Sequence, residues 1–407
     1  GVDKLKVLFM TGASITLSAF LREQYESVFG RPWAVLTSAL VIASLNVFLF
    51  AFDRPWTASD GIRNWGDWLF QSVGILSQPD LLSPFLYSGS VLNLGLLLGA
   101  FSAALLSREF GVRMAPVAEL VKGALGGLMM GWGAVLSFGC NIGGFFSALS
   151  ALSLSGIAMM AGLAIGAFLG TRYLSWETGR RPATNAEQFQ SPCEPSPATP
   201  SSPSSGFQPL IGFFVFFALL IVAYIYRQLG YTPQATFLLF GVAFGVVFQR
   251  SRFCLVRAFR EPFMSGESEH TRAAALALTL SMIGFSILKA TDLKDSTEWV
   301  FPSFWLGALL GGSLFGVGMV IAGGCGAGSI WRAGEGHIKL WVGVIFFAIG
   351  ASAMRIFLVR AELLRELGSA LFLPSLVGWG SAVWGVVALM AVWYLLAGWN
   401  EQRKRST

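Results

Sequence analysis

GGLMMGWGAVLSFGCNIGG, from Gly126 to Gly144, and GGSLFGVGMVIAGGCGAG, from Gly311 to Gly328, repeat one pattern. The two segments superpose when Cys140 is laid on Cys325. Gly126, Gly127, Gly131, Gly133, Gly139 and Gly143 then fall on Gly311, Gly312, Gly316, Gly318, Gly324 and Gly328. Glycine supplies only 48 of 407 residues, so six coincidences in one window mark a duplication. An apolar helix that is duplicated and interrupted at the same point is the sequence pointer to a transporter's binding site.

The composition around these segments is that of an integral membrane protein. Hydrophobic residues make up 54% and charged residues 12%, where an ordinary globular domain is about a quarter charged. Apolar runs near the roughly 20 residues that span a hydrocarbon core occur at Trp33–Phe52, Phe85–Leu106, Val117–Gly139, Ser155–Tyr173, Leu210–Tyr226, Ala235–Phe248, Thr271–Leu288, Ser303–Gly323, Ile338–Phe357 and Leu376–Leu396. The expected fold is an all-α integral membrane protein. It is a polytopic helical bundle of about ten membrane segments, with two inverted repeats and broken or re-entrant helices at the Gly-Cys motifs.

Residues 176–208 interrupt the hydrophobic pattern with SPCEPSPATPSSPSSG, the composition of a flexible tether. They divide an N-terminal membrane half, 1–175, from a C-terminal half, 209–407. Arg172, Arg180 and Arg181 put the tether on the cytoplasmic side, as do Arg250, Arg252, Arg257 and Arg260 for their loop and Arg403, Lys404 and Arg405 for the tail. Asp292, Asp295 and Glu298 suit an outer loop. Threading the ten runs through these assignments leaves both termini cytoplasmic. The helix leading to Cys140 then runs outward and that leading to Cys325 inward. LGLLLGA (Leu94–Ala100) and FGVAFGV (Phe240–Val246) resist this scheme, since they look alike yet run the same way. The run at Ala235–Phe248 is also short, and breaks at Gln249–Arg252 if it is a half-helix.

The net charge of +6 comes from loop cations under the positive-inside rule, not from a nucleic-acid surface. No CxxC or Cys/His spacing for zinc, no HExxH, no GxGxxG and no GxxxxGK[ST] is present. That argues for no metal, no cofactor, no catalytic site and no enzyme. His270 and His337 are the two histidines, both expected in loops and neither beside a cysteine in sequence. Asp67, Glu109 and Glu119 are expected at helix ends near the interface. Arg355, inside an apolar run, either faces a cavity or snorkels.

A cysteine in a membrane helix is ordinarily a small packing residue. Recurrence at the same point of two repeats argues otherwise for Cys140 and Cys325. After each comes a small-residue stretch and a new helix, whose N-terminus aims free N–H groups at the break and favours an anion. The substrate path therefore comprises Cys140, Cys254 and Cys325 with Asn141, Gly139, Gly143, Gly324, Gly326, Gly328 and Arg252. Ser329 is a further hydrogen-bonding side chain. Cys193, in the tether, is expected to take no part.

FGVVFQRSRFCLVRAF (Phe244–Phe259), SFGCNIGGFFSAL (Ser137–Leu149) and IAGGCGAGSIWR (Ile321–Arg332) resemble the YeeE/YedE family of bacterial inner-membrane proteins, which includes thiosulfate transporters. The resemblance covers most of the chain from about Gly89, outside the tether. AALLSREF (Ala103–Phe110) in place of a second RSRFC makes the first half closer to the YedE branch, which is linked to selenium metabolism. The resemblance implies uptake through a narrow path on which three cysteines bind the ion in relay. Cys140 and Cys325 match its Gly-Cys positions and Cys254 its FC position. In thiosulfate transport FC is associated with the first half, where Ser107-Arg108 loosely corresponds here. A soft sulfur oxyanion, thiosulfate foremost, is the expected cargo, with a selenium species as alternative. A membrane thiol or persulfide sulfur-relay protein is a rival reading, and a soluble cytoplasmic sulfurtransferase an expected partner. Thiols suit such a cargo, because S–H groups meet large, weakly hydrated sulfur or selenium atoms more readily than tightly hydrated sulfate.

Overall fold

A computed structural model describes residues 17–180 and 207–406. Cys193 and residues 181–206 of the expected tether lie outside the described residues, as do residues 1–16. In the first half α1 (Leu17–Phe29), α2 (Val35–Phe52), the short α3 (Ser59–Ser72), α4 (Ser88–Leu106) and α5 (Val117–Leu136) follow one another. A π-helical turn running into one α-turn forms α6 (Asn141–Ser150), and α7 (Leu154–Arg180) closes this half. The second half comprises α8 (Gln208–Gln228), α9 (Thr232–Ser251), α10 (Leu255–Arg260), α11 (Glu269–Ala290), α12 (Leu306–Ala322), α13 (Gly326–Gly334), α14 (Ile338–Arg360), α15 (Leu373–Val377) and α16 (Trp379–Arg405).

The chain is an all-α polytopic membrane protein. Among the described residues nine helices are long and apolar enough to cross a membrane, or ten when α5 and α6, bent by 41°, count as one broken span. α4 is central, with 72% of its apolar window buried, whereas α8 and α16 bury 17% and 22% and flank the bundle. The outer face of α8 exposes Phe213, Phe214, Phe217 and Tyr224, a surface suited to lipid chains.

Glycines show how the two halves meet. A Cβ on Gly126 would fall 2.6 Å from the carbonyl oxygen of Gly318, and one on Gly318 would fall 2.7 Å from that of Gly126. Gly133 and Gly311 stand in the same relation, at 2.5 and 2.6 Å. Since Gly126 is the repeat counterpart of Gly311 and Gly133 that of Gly318, each contact is the image of the other. Such reciprocity is the mark of a two-fold axis. The numbering along α5 rises while that along α12 falls, so these two span-length helices are antiparallel. The axis therefore lies across them, in the plane of a membrane that they span, and the repeats are inverted. The flanking contacts obey the same rule: Gly127 abuts Gly343 on α14, and its counterpart Gly312 abuts Met159 on α7.

The breaks correspond as well. α12 ends at Gly323 with φ +79°, and its repeat counterpart, Phe138, has φ +59°. One repeat makes the turn with glycine and the other forces a phenylalanine into the same left-handed conformation.

Two expectations change. α9 is a full 20-residue helix that runs through Gln249 and Arg250, because both are buried and engaged by Glu109, and breaks only at Arg252 with φ +53°. LGLLLGA and FGVAFGV are not repeat counterparts but the two sides of one contact. Gly95 abuts Leu238 and Gly241, while Gly245 abuts Leu96 and Ala100. The numbering rises together, so α4 and α9 run parallel and glycine lets them close.

Candidate functional site

Cys140, Cys325 and Cys254 are buried in one core cluster, each as a thiol at the residue just before a short helix (α6, α13 and α10), and of the three only the Cys325 sulfur accepts a capping hydrogen bond. Gly328 N–H donates to Cys325 Sγ at 3.3 Å, so the sulfur takes the place that a serine or aspartate oxygen holds in an ordinary N-cap. Cys140 N–H donates to Ser59 Oγ at 3.1 Å, and Cys140 Sγ lies 3.9 Å from Thr57 Oγ1. The Cβ direction of Gly326 passes 3.7 Å from both Cys140 Cβ and Ala58 Cβ. The tips of α3, α6 and α13 thus meet at one point.

Some of the site glycines are sterically required there. A Cβ on Gly143 would strike Thr57 Oγ1 at 2.3 Å, one on Gly139 would strike Gly144 N at 2.4 Å, and one on Gly324 would strike Ser329 Oγ at 2.8 Å. Gly328 is tight against Cys325 Sγ, at 3.1 Å, whereas Gly326 has room within a few tenths of an ångström.

Asn141 begins α6 beside Cys140 and is wholly buried, yet neither Oδ1 nor Nδ2 has a hydrogen-bond partner. Ser329 Oγ, in the first turn of α13, is also buried without one. Buried polar side chains are normally satisfied, and each orphaned group costs about 1–3 kcal/mol.

α3 is absent from the spans expected of the sequence. Its segment, SDGIRNWGDWLFQS, is amphipathic and too polar to stand out in a search for apolar runs, though the preceding DRPWTA marks a break. In chain order α3 precedes α4 and α5 as α10 precedes α11 and α12, which sets its N-cap, Ala58, against Cys254, the N-cap of α10. That replaces Ser107-Arg108 as the counterpart of the FC position: Ser107 caps the far end of α4 instead. His270 also departs from expectation. It lies in the first turn of α11, buried, and its Nδ1 accepts from Cys254 N–H at 3.4 Å.

A cavity of about 340 Å³ opens beside the tip of α3, walled by Arg54, Thr57, Ser59, Arg63, Tyr87, Phe138, Trp299 and Arg355 among others. Its floor residues Thr57 and Ser59 are those that touch Cys140. Asp60 on the same wall is engaged by Arg54 and by Tyr87 Oη–H at 3.0 Å. Burial, and the Asp60 carboxylate beside it, push the Tyr87 phenol up to about 12, so it stays a donor. Arg355 therefore faces a cavity. Asp67, expected at the interface, is 5% exposed and sits 3.6 Å from Arg63 Nε.

At the other end of α4 lies a cluster of paired charges. Glu109 accepts from Arg252 at 3.0 Å and from Gln249 Nε2 at 2.7 Å, and lies 3.5 Å from Arg250. Glu335 lies 3.7 Å from Arg252, and His337 bonds Arg113 at 3.1 Å. Burial, opposed by Arg252, raises the Glu335 carboxyl above its ordinary range. Arg252 thus engages the carboxylates of Glu109 and Glu335, and its cluster ties the first half to the second.

Comparison with known proteins gives a consistent picture. A model of the family described as sulphur transport matches residues 11–169 and 250–407. The chain is 27% identical over 319 residues to "Probable transporter YedE" of Escherichia coli strain K12, covering 76% of this chain and 77% of that one. It is 28% identical over 323 residues to the protein of that name in Salmonella typhimurium, covering 76% and 77%. It is 36% identical over 118 residues to "Thiosulfate transporter TsuA" of Escherichia coli, covering 29% of this chain and 33% of that one.

Proposed function

The chain belongs to the sulphur transport family, and from that premise we propose that it imports a soft sulfur oxyanion, thiosulfate first, along a path through Cys140, Cys325 and Cys254. The observation that carries this reading is Asn141, a wholly buried amide without a partner beside the Cys140 thiol at the start of α6. A small anion at that point supplies what the amide lacks. Nδ2 donates to an oxyanion oxygen, and Oδ1 accepts from a water that the ion keeps. The N-terminal N–H groups of α6 and α13 add positive potential without a full charge, so the ion is held weakly enough to leave.

The thiols supply selection. Each presents a soft S–H to the terminal sulfur of thiosulfate, whereas sulfate offers only oxygens that hold their water. Gly139, Gly143, Gly324 and Gly328 let the capping turns close to this width. Passage is by hydrogen bonding, with no covalent intermediate.

The distribution of basic loops supports an outward position for the cavity beside α3, on the far side of a bacterial inner membrane. It supports a cytoplasmic position for the Glu109–Arg252 cluster and for both termini. The described conformation is then open outward and latched inward. Inverted repeats make the alternative state available by exchanging the roles of the two halves. A cytoplasmic sulfurtransferase is the natural acceptor of the product, and 176–208 is the tether between halves.

The test is growth of a bacterium lacking sulfate uptake, carrying this gene, with thiosulfate as sole sulfur source. Growth with the gene and none with a Cys140→Ala copy is expected. No growth on thiosulfate together with gene-dependent uptake of a selenium oxyanion, measured as cell-associated selenium, would replace the cargo. No anion uptake of either kind would overturn the reading.

A further inference from the structure

Arg355 has no hydrogen bond or ion pair to any described residue, although it lies in a membrane-length helix. A cation in such a helix normally finds a carboxylate or a carbonyl. Its strongest electrostatic neighbour is instead a second cation, Arg63, with Asp67 behind it. Arg63 is itself poorly matched, because its Nε is buried without a hydrogen bond and stands 3.6 Å from Asp67.

The backbone fixes this opposition of like charges. Gly66 of α3 packs so closely on α14 that a Cβ there would fall 2.2 Å from the carbonyl oxygen of Ala348. One turn away Ser352 Oγ–H donates to the Arg63 carbonyl at 3.2 Å. The close packing of α3 on α14 therefore sets Arg63 and Arg355 on the wall of one cavity. The cavity of about 340 Å³ carries Arg54, Arg63 and Arg355 against the single carboxylate of Asp60, which Arg54 already engages. Asp67 and Asp80 face the adjoining, more open cavity of about 380 Å³, which shares Arg63, Tyr87 and Arg355. The excess of positive charge thus lies on the side of Thr57 and Ser59, next to Cys140.

We infer that Arg63 and Arg355 form a binding site for a small, doubly charged oxyanion in the outer cavity, one step before the thiols. The inference rests on the transport reading for its place in a sequence of steps, but the site itself is testable without transport. An oxyanion between the two guanidiniums relieves their repulsion and occupies their forked donors. Guanidinium reads charge and oxygen geometry rather than softness. The site therefore accepts sulfate about as well as thiosulfate, and discrimination falls to Cys140 and beyond.

The experiment uses the full-length protein purified in a neutral detergent and titrated with sodium thiosulfate or sodium sulfate. Heat and the fluorescence of Trp299, which lines the same cavity, are the readouts. Comparable affinities for the two anions are expected, falling as ionic strength rises. Arg355→Gln and Arg63→Gln should each weaken binding about tenfold, Arg355→Lys should restore part of it, and Cys140→Ala should leave it intact while abolishing uptake. Wild-type affinity in a folded Arg355→Gln protein, or no binding to the wild type, overturns the site whatever the uptake assay shows. Arginine-dependent binding without uptake leaves the site standing and removes the transport reading. Should Arg355→Gln fail to fold, Arg63→Gln decides by the same criterion. Phosphatidylglycerol bound in an Arg355-dependent way, with no sulfate or thiosulfate binding to the delipidated protein, would assign the arginines to a lipid headgroup and overturn the site.

Discussion

The backbone N–H of Cys254 points at Nδ1 of His270, 3.4 Å away, while Phe253 stacks against the same ring with centroids 6.1 Å apart. An imidazole that accepts at Nδ1 is the neutral tautomer with its proton on Nε2. The lone pair that would take a thiol proton is already directed at the backbone, so His270 seats the turn rather than ionising the sulfur. His270→Asn, whose Oδ1 can replace Nδ1, should keep at least half of wild-type uptake. The pH midpoint for alkylation of Cys254 should be the same in both proteins. A midpoint displaced by a unit or more in the variant would make His270 a base, and would bring the persulfide reading back.

Alanine at Cys140 or Cys325 should reduce uptake to background, since each removes a thiol from the meeting point of α3, α6 and α13. Serine keeps a donor of similar size but loses softness, so Cys140→Ser should retain partial uptake with poorer discrimination against sulfate. Mass spectrometry of the substrate-treated wild type should find no added sulfur atom on any of the three. A persistent gain of one sulfur, with no uptake in the serine variants, would establish covalent relay.

Much of this is legible in the sequence where spacing alone carries it. The alignment that lays Cys140 on Cys325 also makes Gly133 and Gly318 counterparts, and antiparallel packing of α5 on α12 turns that alignment into a two-fold axis. What stays hidden lacks an apolar signature or a sequence neighbour. α3 is half polar, so its role as the first-half equivalent of α10 emerges only from its capping residue, Ala58. His270 stands apart from Cys254 in the chain and meets it only because α10 folds back on α11. Gln249 and Arg250 read as a helix break because their polarity is visible and their partner, Glu109, is 140 residues away. Arg355 is ambiguous in sequence between snorkelling and a cavity, and only the placement of Arg63 opposite it decides.

The glycine contact predicts equal losses at symmetry-related positions. Gly133→Ala and Gly318→Ala each drive a methyl group to within 3 Å of the partner backbone, where overpacking costs about 1–3 kcal/mol. Both should lower the apparent melting temperature in detergent, and by similar amounts. Gly380→Ala on the flanking α16, where a Cβ meets nothing within 4 Å, should leave it unchanged or raise it slightly. A Gly133→Ala protein as stable as the wild type would show that α5 and α12 do not approach so closely.

Glu335 makes a pH-dependent test of the inner latch. Burial outweighs the pull of Arg252 and Arg332, and the carboxyl holds its proton above its ordinary 4.5. A folded carboxyl that binds its proton more tightly than the unfolded one adds stability below the unfolded value and loses it as the pH rises through the folded value. As the pH rises the wild type therefore loses this stabilisation, which Glu335→Gln, with no proton to release, does not. The variant should melt at or above the wild-type temperature at pH 7.5, and the difference should close as the pH approaches 4.5. Glu109→Gln should behave oppositely at neutral pH, because it strips Arg250 and Arg252 of a shared partner while leaving both cations in place. If Glu335→Gln instead melts well below the wild type at pH 7.5, the pairing with Arg252 outweighs burial and Glu335 fastens the latch as an anion.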